Sequence, residues 1–167
     1  VSFCDAFSIP VLTLTNVKGY AADVRSEKSI AKAVAKLTYA FANANVPKVN
    51  VITGEAYGSA YVTMNSKALG ADVTYAWPDA SIGMMDANEA AKIMYADDIA
   101  KSADVQSVIS EKAAEYAALQ SGVESAAARG YVDTIINPED TRKYVAAAFE
   151  MLYTKREDRP DKKHGTV

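Results

Sequence analysis

Residues 46–61 decide the fold of this chain, and they read VPKVNVITGEAYGSAY. β-Branched residues fill most of positions 49–53, which predicts a strand. Directly after this strand, Gly58, Ser59 and Ala60 stand where a helix would begin. Small side chains at that place leave the first backbone N–H groups of the helix open to a ligand. Together with the positive end of the helix dipole, these groups would bind an oxyanion.

The same run of small residues is also typical of close packing between a helix and the strand before it. The spacing alone favours this packing interpretation over an oxyanion site. Tyr57 and Tyr61 lie four positions apart, so we expect them to share one face of the helix. On that face they would either line a pocket or pack in the core, and the sequence leaves both possibilities open.

Strands and helices alternate on both sides of this turn. Their order predicts α/β layers with a mainly parallel sheet and a helical C-terminal region. The strands that hydrophobic spacing predicts cover residues 11–15, 48–53, 72–77 and 81–85. The predicted helices cover residues 26–44, 58–70 and most of the chain after residue 87.

Single residues at the ends of these elements carry further expectations. We expect Ser26 to cap the first long helix and Ser102 to cap a later one, because serine is a preferred N-cap residue. Gly70 is expected to end the helix that begins at Gly58. Met84 and Met85 are expected to fill the core rather than to line a ligand site.

Length and charge limit the possible functions. The 167 residues are half apolar and carry a net charge of −3, which is typical of one soluble domain without a nucleic-acid surface. No apolar run reaches the roughly 20 residues that span a bilayer. The single cysteine, Cys4, cannot form an internal disulfide, which favours the cytoplasm. The chain begins at Val1, within a predicted helix end, so we expect a fragment of a longer polypeptide.

Reactive side chains are scarce. The single histidine, His164, lies in the polar tail, and Cys4 lies at the other end, so a nucleophilic pair is not expected. No pair of histidines or cysteines has the spacing of metal ligands, so we expect no metal in this chain. The adjacent Asp97 and Asp98 are interpreted as solvated surface, and Lys162 beside Lys163 as part of a charged tail.

Several segments, taken in order, resemble the C-terminal half of the carboxyltransferase component of biotin-dependent acyl-CoA carboxylases and decarboxylases. This group includes the propionyl-CoA carboxylase β-chain and the glutaconyl-CoA and methylmalonyl-CoA decarboxylase subunits. The resemblance covers nearly the whole chain and is weakest over residues 101–139. The matching segments are residues 3–11, 46–49, 56–58, 60–61, 64–67, 75–78 and 159–165.

The resemblance implies a crotonase-type fold of repeated ββα units, with residues 1–167 forming the biotin-side domain. In this family an N-terminal half binds acyl-CoA, and the site forms between domains of different subunits in a homo-oligomer. The implied partners are that N-terminal half, acyl-CoA and the biotin carboxyl carrier protein, because the biotin is attached to a separate carrier. The implied location is the cytoplasm or the periphery of a membrane decarboxylase complex.

The implied reaction explains why reactive side chains are scarce. Carboxybiotin supplies the base, so the protein supplies position and electrostatics. The resemblance assigns the biotin-side oxyanion hole to the backbone N–H groups of Ser59 and Ala60. The other residues that it assigns to the biotin and substrate site are Tyr57, Gly58, Tyr61, Val62, Gly19 and Tyr20.

The chain also departs from the family pattern. Ser59 replaces a frequent second glycine, Lys18 replaces a proline, and Asp86 replaces a glycine. Val62 stands where propionyl-type members tend to carry aspartate, which leaves the acyl group open between propionyl or methylmalonyl and glutaconyl types. Carboxylase, decarboxylase and transcarboxylase activities are all compatible with the sequence.

Two alternatives from other classes remain. One is another crotonase-type acyl-CoA enzyme, a hydratase or thioesterase, for which Glu55 is the nearest acid and has no expected partner. The other is a non-catalytic assembly domain.

Overall fold

Residues 1–158 are described by the computed structural model, so the predictions for His164, Lys162, Lys163 and the segment 159–165 lie outside the described residues. A parallel sheet runs through the described chain, in the order β1, β2, β3, β5, while β4 pairs with the far end of β2. The strands are β1 (Val11–Val17), β2 (Lys48–Tyr57), β3 (Val73–Ala76), β4 (Ser81–Gly83) and β5 (Thr134–Ile135). The predicted α/β class with a mainly parallel sheet is confirmed.

Helices cover the connections and most of the C-terminal third. They are α1 (Ser2–Ala6), α2 (Val24–Asn43), α3 (Gly58–Thr63), α4 (Ala87–Met94), α5 (Ala96–Lys101), α6 (Val105–Tyr116), α7 (Val123–Ala128) and α8 (Thr141–Met151). Short 3-10 turns cover Lys67–Leu69 and Pro138–Asp140, and a π-helical segment covers Ala117–Ser121. Over residues 1–158, we find no helix with the length and apolar character that crossing a bilayer requires.

β2 is the central strand, and its alternating side chains enter two cores. Val49 and Val51 are fully buried on one face of the sheet, where they pack in a cluster with Val145 and Ala148 of α8. Ile52 lies on the other face. There it belongs to a cluster of small and apolar residues from β2, α3, β3, β4 and α7. The second cluster therefore lies directly beneath α3.

The second face of the sheet also buries polar side chains. Thr15 of β1 donates its hydroxyl hydrogen to Oδ1 of Asn50 on β2, at 2.8 Å, and both residues are fully buried. Asn65, which follows α3, donates its side-chain amide to the carbonyl oxygen of Val49 at 3.4 Å. These bonds tie the chain after α3 to the two strands below it.

A bulge changes the path of β2 just before α3. Thr15 pairs with Ile52, yet Val17 pairs with Ala56, so three residues of β2 lie opposite the single residue Asn16. Oδ1 of Asn16 accepts a hydrogen bond from the N–H of Glu55 at 3.0 Å. The bulge brings the last residues of β2 beside β4 instead of β3.

Both predicted serine caps are wrong, because an aspartate takes each place. Asp23 caps α2 and accepts the N–H groups of Arg25 and Ser26, each at 2.9 Å. Two hydrogen bonds from Ser26 lower the pKa of Asp23. The bond from the Ser26 hydroxyl has the larger effect and the bond from its backbone N–H the smaller one. At α6, Asp104 is the cap, whereas Ser102 only accepts the N–H of Asp104. A carboxylate can accept several N–H groups at once, which favours it at both positions.

The predicted helix from Gly58 to Gly70 is also wrong in its extent. It ends at Thr63, and Asn65 has a φ of +57°, a left-handed conformation that asparagine tolerates. Gly70, with a φ of +103°, instead ends the 3-10 turn after Asn65. The two-residue strand β5 was not predicted at all, because two residues carry no measurable periodicity.

The fold predicts how much stability is lost when a side chain is removed from the core under α3. Replacing Ile52 with alanine should lower the free energy of unfolding by about 2–5 kcal/mol, because its side chain is fully buried. The matched control is Ile93→Ala on α4, where the side chain is 66% exposed and the change should be below about 0.5 kcal/mol. Urea unfolding of the two variants and the parent measures both values, and equal losses would contradict the assignment of this core.

Candidate functional site

α3 begins at a turn that requires glycine. Gly58 has a φ of +59°, in the left-handed region, and a Cβ atom there would lie 3.0 Å from the carbonyl oxygen of Met84. Met84 directly follows Gly83, which pairs with Tyr57 across β2 and β4. The end of β2, the end of β4 and the start of α3 therefore meet at Gly58.

The first turn of α3 presents backbone N–H groups without helical acceptors. Ser59 and Ala60 precede the point at which intrahelical hydrogen bonds can form. Over residues 1–158, no hydrogen bond of a loop, turn or side chain uses either amide as donor. Ser59 is exposed, whereas the side chain of Ala60 is buried against the sheet. The two amides resemble the oxyanion donors that the sequence predicts, and their role stays a prediction.

A cavity of about 460 Å³ lies beside this turn. Its walls come from α3 and the residues just after it, from β4 with Met84, and from the end of α7 with the loop that follows. The predicted site residues that line it are Gly58, Ser59, Tyr61 and Val62. The lining residues that sequence reasoning missed are Ser66, Ala68, Ile82, Gly83, Met84, Ala126, Arg129 and Tyr131.

Met84 corrects one expectation. It was expected to fill the core, but its side chain is 77% exposed and lines the cavity. The turn explains this, because the backbone of Met84, not its side chain, packs against Gly58. Arg129 lines the opposite part of the cavity and donates to Oε1 of Gln120 at 2.9 Å. These walls come from segments distant in sequence, so no local spacing could have identified them.

Tyr61 is a buried polar residue of the cavity. Its side chain is only 7% exposed, and its hydroxyl has no hydrogen-bond partner among the described residues. Burial, together with a smaller effect of the neighbouring Tyr131, raises the pKa of Tyr61 to about 12. At neutral pH Tyr61 is therefore an uncharged phenol, with a hydrogen available for donation.

Tyr57 does not share a helical face with Tyr61, contrary to the expectation. It is the last residue of β2, is 6% exposed, and does not line the cavity. Burial raises the pKa of Tyr57, and a hydrogen bond with Ser81 acts in the opposite direction. The strand continues four residues further than predicted, which places Tyr57 in the sheet rather than on α3.

Gly19 and Tyr20 lie in the loop between β1 and α2 and do not line the cavity. Gly19 is exposed. The hydroxyl of Tyr20 donates to the carbonyl oxygen of Ser59 at 3.1 Å and lies 3.0 Å from Oγ1 of Thr63. Tyr20 therefore contacts α3 itself.

Glu55 has a partner, contrary to the expectation. Its Oε1 lies 3.0 Å from Nζ of Lys18, and this hydrogen bond raises the pKa of the Lys18 ammonium group. Glu55 does not line the cavity. Within residues 1–158, no group of three or more histidine, cysteine or acidic residues is arranged to hold a metal ion.

A larger cavity of about 630 Å³ is lined by residues from α1 and the segment after it, from the loop before β2, and from α8 to the end of the described chain. It includes Asp158, the last described residue, and contains none of the predicted site residues. The smaller cavity at α3 is therefore the candidate site, because four predicted residues line it, Ser59 with its free amide among them. The buried Ala60 does not line it.

Comparison with known proteins agrees with the fold described above. A family model described as the carboxyl transferase domain matches residues 1–167. The propionyl-CoA carboxylase beta chain of Saccharopolyspora erythraea is 48% identical over 172 residues, which cover 100% of this chain and 32% of that protein. Methylmalonyl-CoA decarboxylase subunit alpha of Propionigenium modestum is 44% identical over 165 residues, covering 98% of this chain and 32% of that protein. The chain spans about a third of the length of these curated relatives.

A solved structure has the same fold. A crystal structure of transcarboxylase 12S, described as a hexamer with methylmalonyl-coenzyme A and methylmalonic acid bound, superposes with a TM-score of 0.93 at 43% identity. The match covers 98% of this chain and 32% of that one. These carboxyltransferases have a crotonase-like fold, so the predicted fold class is confirmed.

The geometry predicts that Gly58 cannot be replaced without cost. Gly58→Ala should lower the free energy of unfolding by about 1–2 kcal/mol, because a side chain is disfavoured at this φ. The control is Gly19→Ala, where an added Cβ has no atom within 4 Å and the change should be small. Chemical denaturation compares the two. A neutral Gly58→Ala variant would contradict the described turn.

The raised pKa of Tyr61 predicts a loss of stability at high pH. Above pH 10 the unfolded tyrosine ionises while the folded one keeps its proton until about pH 12. The free energy of unfolding therefore falls between about pH 10 and pH 12, and Tyr61 accounts for roughly 1–3 kcal/mol of that decrease. Tyr61→Phe should remove that part of the decline, whereas Tyr153→Phe, at an 83% exposed position, should not. Unfolding curves at several pH values test this, and parallel declines in Tyr61→Phe and the parent would refute it.

Proposed function

The chain belongs to the carboxyl transferase domain family, and from this premise we propose that it forms the biotin-side part of an enzyme that transfers a carboxyl group between carboxybiotin and an acyl-CoA. One observation carries the proposal: a cavity of about 460 Å³ is lined by Gly58 and Ser59 at the start of α3, where the N–H of Ser59 has no helical acceptor. The names of the relatives support an acyl group of the propionyl or methylmalonyl type.

The cavity fits the reactive part of biotin. Its volume lies within the usual range of small-molecule sites, and its walls are largely apolar, with Val62, Ile82 and Met84 among them. Biotin combines an apolar bicyclic body with a polar urea group. Ser59 offers a hydrogen-bond donor to such a polar group from the wall of this cavity.

The carboxylated biotin, when bound, would supply both the carboxyl group and the base, so the chain needs no general base of its own. The N–H groups of Ser59 and Ala60 would donate to the urea oxygen, on which negative charge develops. The dipole of α3 would add to this stabilisation, and the apolar walls would strengthen it by excluding water. Gly58 allows the turn into α3, because a Cβ there would lie 3.0 Å from the carbonyl oxygen of Met84.

The remaining residues of the predicted site take different parts in this proposal. Val62 is 39% exposed and lines the cavity, which supports contact with the transferred group or its acyl acceptor. Tyr57 would support the turn from within the sheet. Gly19 would shape the loop that carries Tyr20, and Tyr20 would act through α3 rather than by touching biotin.

The proposed partners are an acyl-CoA, a biotin carboxyl carrier protein, an N-terminal carboxyltransferase half and further copies of the subunit. The chain spans about a third of its curated relatives, which supports a site completed by other parts of the protein. Exposed apolar side chains at Phe3, Phe7 and Leu14 offer surface for such contacts. We place the enzyme in the cytoplasm or beside a membrane decarboxylase complex, and the lone Cys4 supports the reducing compartment.

A hydratase or thioesterase gains no support from the site. Such chemistry needs a free acid beside the oxyanion donors. Glu55 is paired with Lys18 and does not line the cavity. An assembly domain without activity would leave the unpaired amides and the unpartnered Tyr61 hydroxyl without a use.

The proposal predicts carboxyl transfer by the complete subunit. Supplied with a carboxybiotin that carries an isotope-labelled carboxyl group, it should label propionyl-CoA. Ser59→Pro removes one N–H and should lower turnover by about 100-fold or more. The control, Val105→Pro, places proline at the first residue of α6, where it is tolerated, and should leave turnover unchanged.

Proline also restricts the residue before it, so a second variant separates chemistry from folding. Replacing Ala60 with its α-hydroxy analogue converts the amide between Ser59 and Ala60 into an ester and removes only that N–H. This variant should keep the thermal unfolding temperature and lose turnover to a similar degree. Full turnover in both variants, or no labelled product from any acyl-CoA with the parent, would refute the proposed function.

A further inference from the structure

Arg129 is the charged residue of the cavity at α3. The other residues that line this cavity are apolar or uncharged polar ones, so no carboxylate lines it. Over residues 1–158, Arg129 forms no ion pair with an acidic side chain. Arginine stays protonated in proteins. The cavity wall therefore carries one positive charge that no acidic side chain of the described chain pairs with.

The guanidinium group of Arg129 has unused hydrogen-bond donors. Its Nη2 atom donates to Oε1 of Gln120 at 2.9 Å, and the side chain of Gln120 is an uncharged amide. No other hydrogen bond of the Arg129 side chain is formed within residues 1–158. Arginine carries five N–H donors in a planar fork, which fits the two oxygens of a carboxylate. The remaining donors are therefore available to an anionic ligand.

The backbone around Arg129 fixes the place from which its side chain extends. Arg129 is the C-cap residue of α7, and Gly130 follows it with a φ of +80°. The N–H of Gly130 donates to the carbonyl oxygen of Ala127 at 2.9 Å, and the N–H of Tyr131 donates to that of Ala126 at 3.0 Å. This pair of bonds is a Schellman motif. Because Ala126 is buried and Tyr131 also lines the cavity, the motif holds Arg129 at the cavity wall.

The partner of Arg129 is restrained as well. Gln120 lies in the π-helical segment Ala117–Ser121, and such segments are frequent at functional sites. The residue before Gln120 accepts, through its carbonyl oxygen, a hydrogen bond from the hydroxyl of Ser125 on α7 at 3.3 Å. The π-helical segment and α7 are therefore tied to each other, which gives the bond between Gln120 and Arg129 a defined place in the fold.

A purely structural role would explain the positive charge without a ligand. A cation near the C-terminus of a helix interacts favourably with the helix dipole, and Arg129 stands at that end of α7. Such a role needs neither a cavity nor unused donors. It also predicts that removal of the charge leaves the affinity for every ligand unchanged, which makes the two roles separable by experiment.

We propose that Arg129 binds the carboxylate of the group that is transferred, and that it thereby distinguishes a carboxylated ligand from its uncarboxylated form. The inference rests on the proposed function. A carboxylate fits because it offers two charged acceptor oxygens, and because the apolar walls reduce the screening of the charge pair by water. Under the proposed function two ligands carry this carboxylate, namely carboxybiotin and a methylmalonyl-type acyl-CoA.

The first test compares two acyl-CoA ligands that differ in one carboxylate. Calorimetric titration of the complete subunit with methylmalonyl-CoA and with propionyl-CoA gives both values of Kd. In Arg129→Gln the Kd for methylmalonyl-CoA should rise about tenfold, because hydrogen bonds to a charged group are lost, while the Kd for propionyl-CoA stays unchanged. The matched control is Arg142→Gln on α8, an exposed arginine outside the cavity, which should leave both values unchanged.

The second test leaves Arg129 in place. Gln120→Glu puts a carboxylate of nearly the same shape where the amide oxygen accepts the hydrogen bond from Arg129. This internal anion should compete with the ligand, so the Kd for methylmalonyl-CoA should rise while the unfolding temperature does not fall. Gln106→Glu adds the same charge at an exposed position of α6 outside the cavity, and should leave the Kd unchanged.

A third measurement identifies the ligand that carries the carboxylate. Carboxybiotin with an esterified side chain has the transferred carboxylate as its only charge, and its KM in the labelled transfer assay is compared between the parent and Arg129→Gln. A higher KM for this carboxybiotin alone assigns Arg129 to that ligand. A higher Kd for methylmalonyl-CoA alone assigns Arg129 to the acyl-CoA.

Two results would refute the inference. Equal weakening of methylmalonyl-CoA and propionyl-CoA in Arg129→Gln would assign Arg129 to the phosphates that both ligands share. Unchanged values for all three ligands would leave Arg129 only its structural place at the end of α7. The proposed function is tested separately, because absence of labelled transfer by the parent refutes it, whereas the titrations still decide whether Arg129 binds a carboxylate.

Discussion

The contact between Gly58 and the carbonyl oxygen of Met84 constrains the whole site. A left-handed residue at the end of β2 turns the chain into α3 without an intervening loop, and the carbonyl of Met84 closes the space that a side chain would need. Two strand ends and a helix start meet at this point. Ser59, with its unpaired amide, and the exposed side chain of Met84 consequently line the same cavity.

The chemistry at this turn relies on the backbone, and hydroxyl groups support it. Tyr20 donates to the carbonyl oxygen of Ser59 and lies beside Oγ1 of Thr63, while the buried hydroxyl of Tyr61 has no partner among the described residues. Burial raises the pKa of Tyr61, so this phenol is uncharged at neutral pH. A site built in this way depends on geometry rather than on ionisation. The loop after β1, the end of β2 and the first turn of α3 must therefore all keep their positions.

The sequence predicts the elements with strong local signals and misses those set by distant neighbours. The β-branched run of β2 and the small residues at Gly58 are local, and both were placed correctly. The caps at Asp23 and Asp104 were missed because nearby serines carry a similar preference. Arg129 and Tyr131 line the cavity only because α7 packs beside β4, and β5 exists only because β3 offers it a partner.

The bulge in β2 divides one strand into two parts that share β1 but differ in their second neighbour. Residues up to Ile52 pair with β1 and β3, whereas Ala56 pairs with β1 and the residues from Glu55 to Tyr57 pair with β4. The cavity end of β2 therefore has a different partner strand from the first part, so changes in β4 can alter the cavity while β3 and the first part of β2 stay paired as before. Subunits with the same core could in this way acquire differently shaped pockets without a new fold.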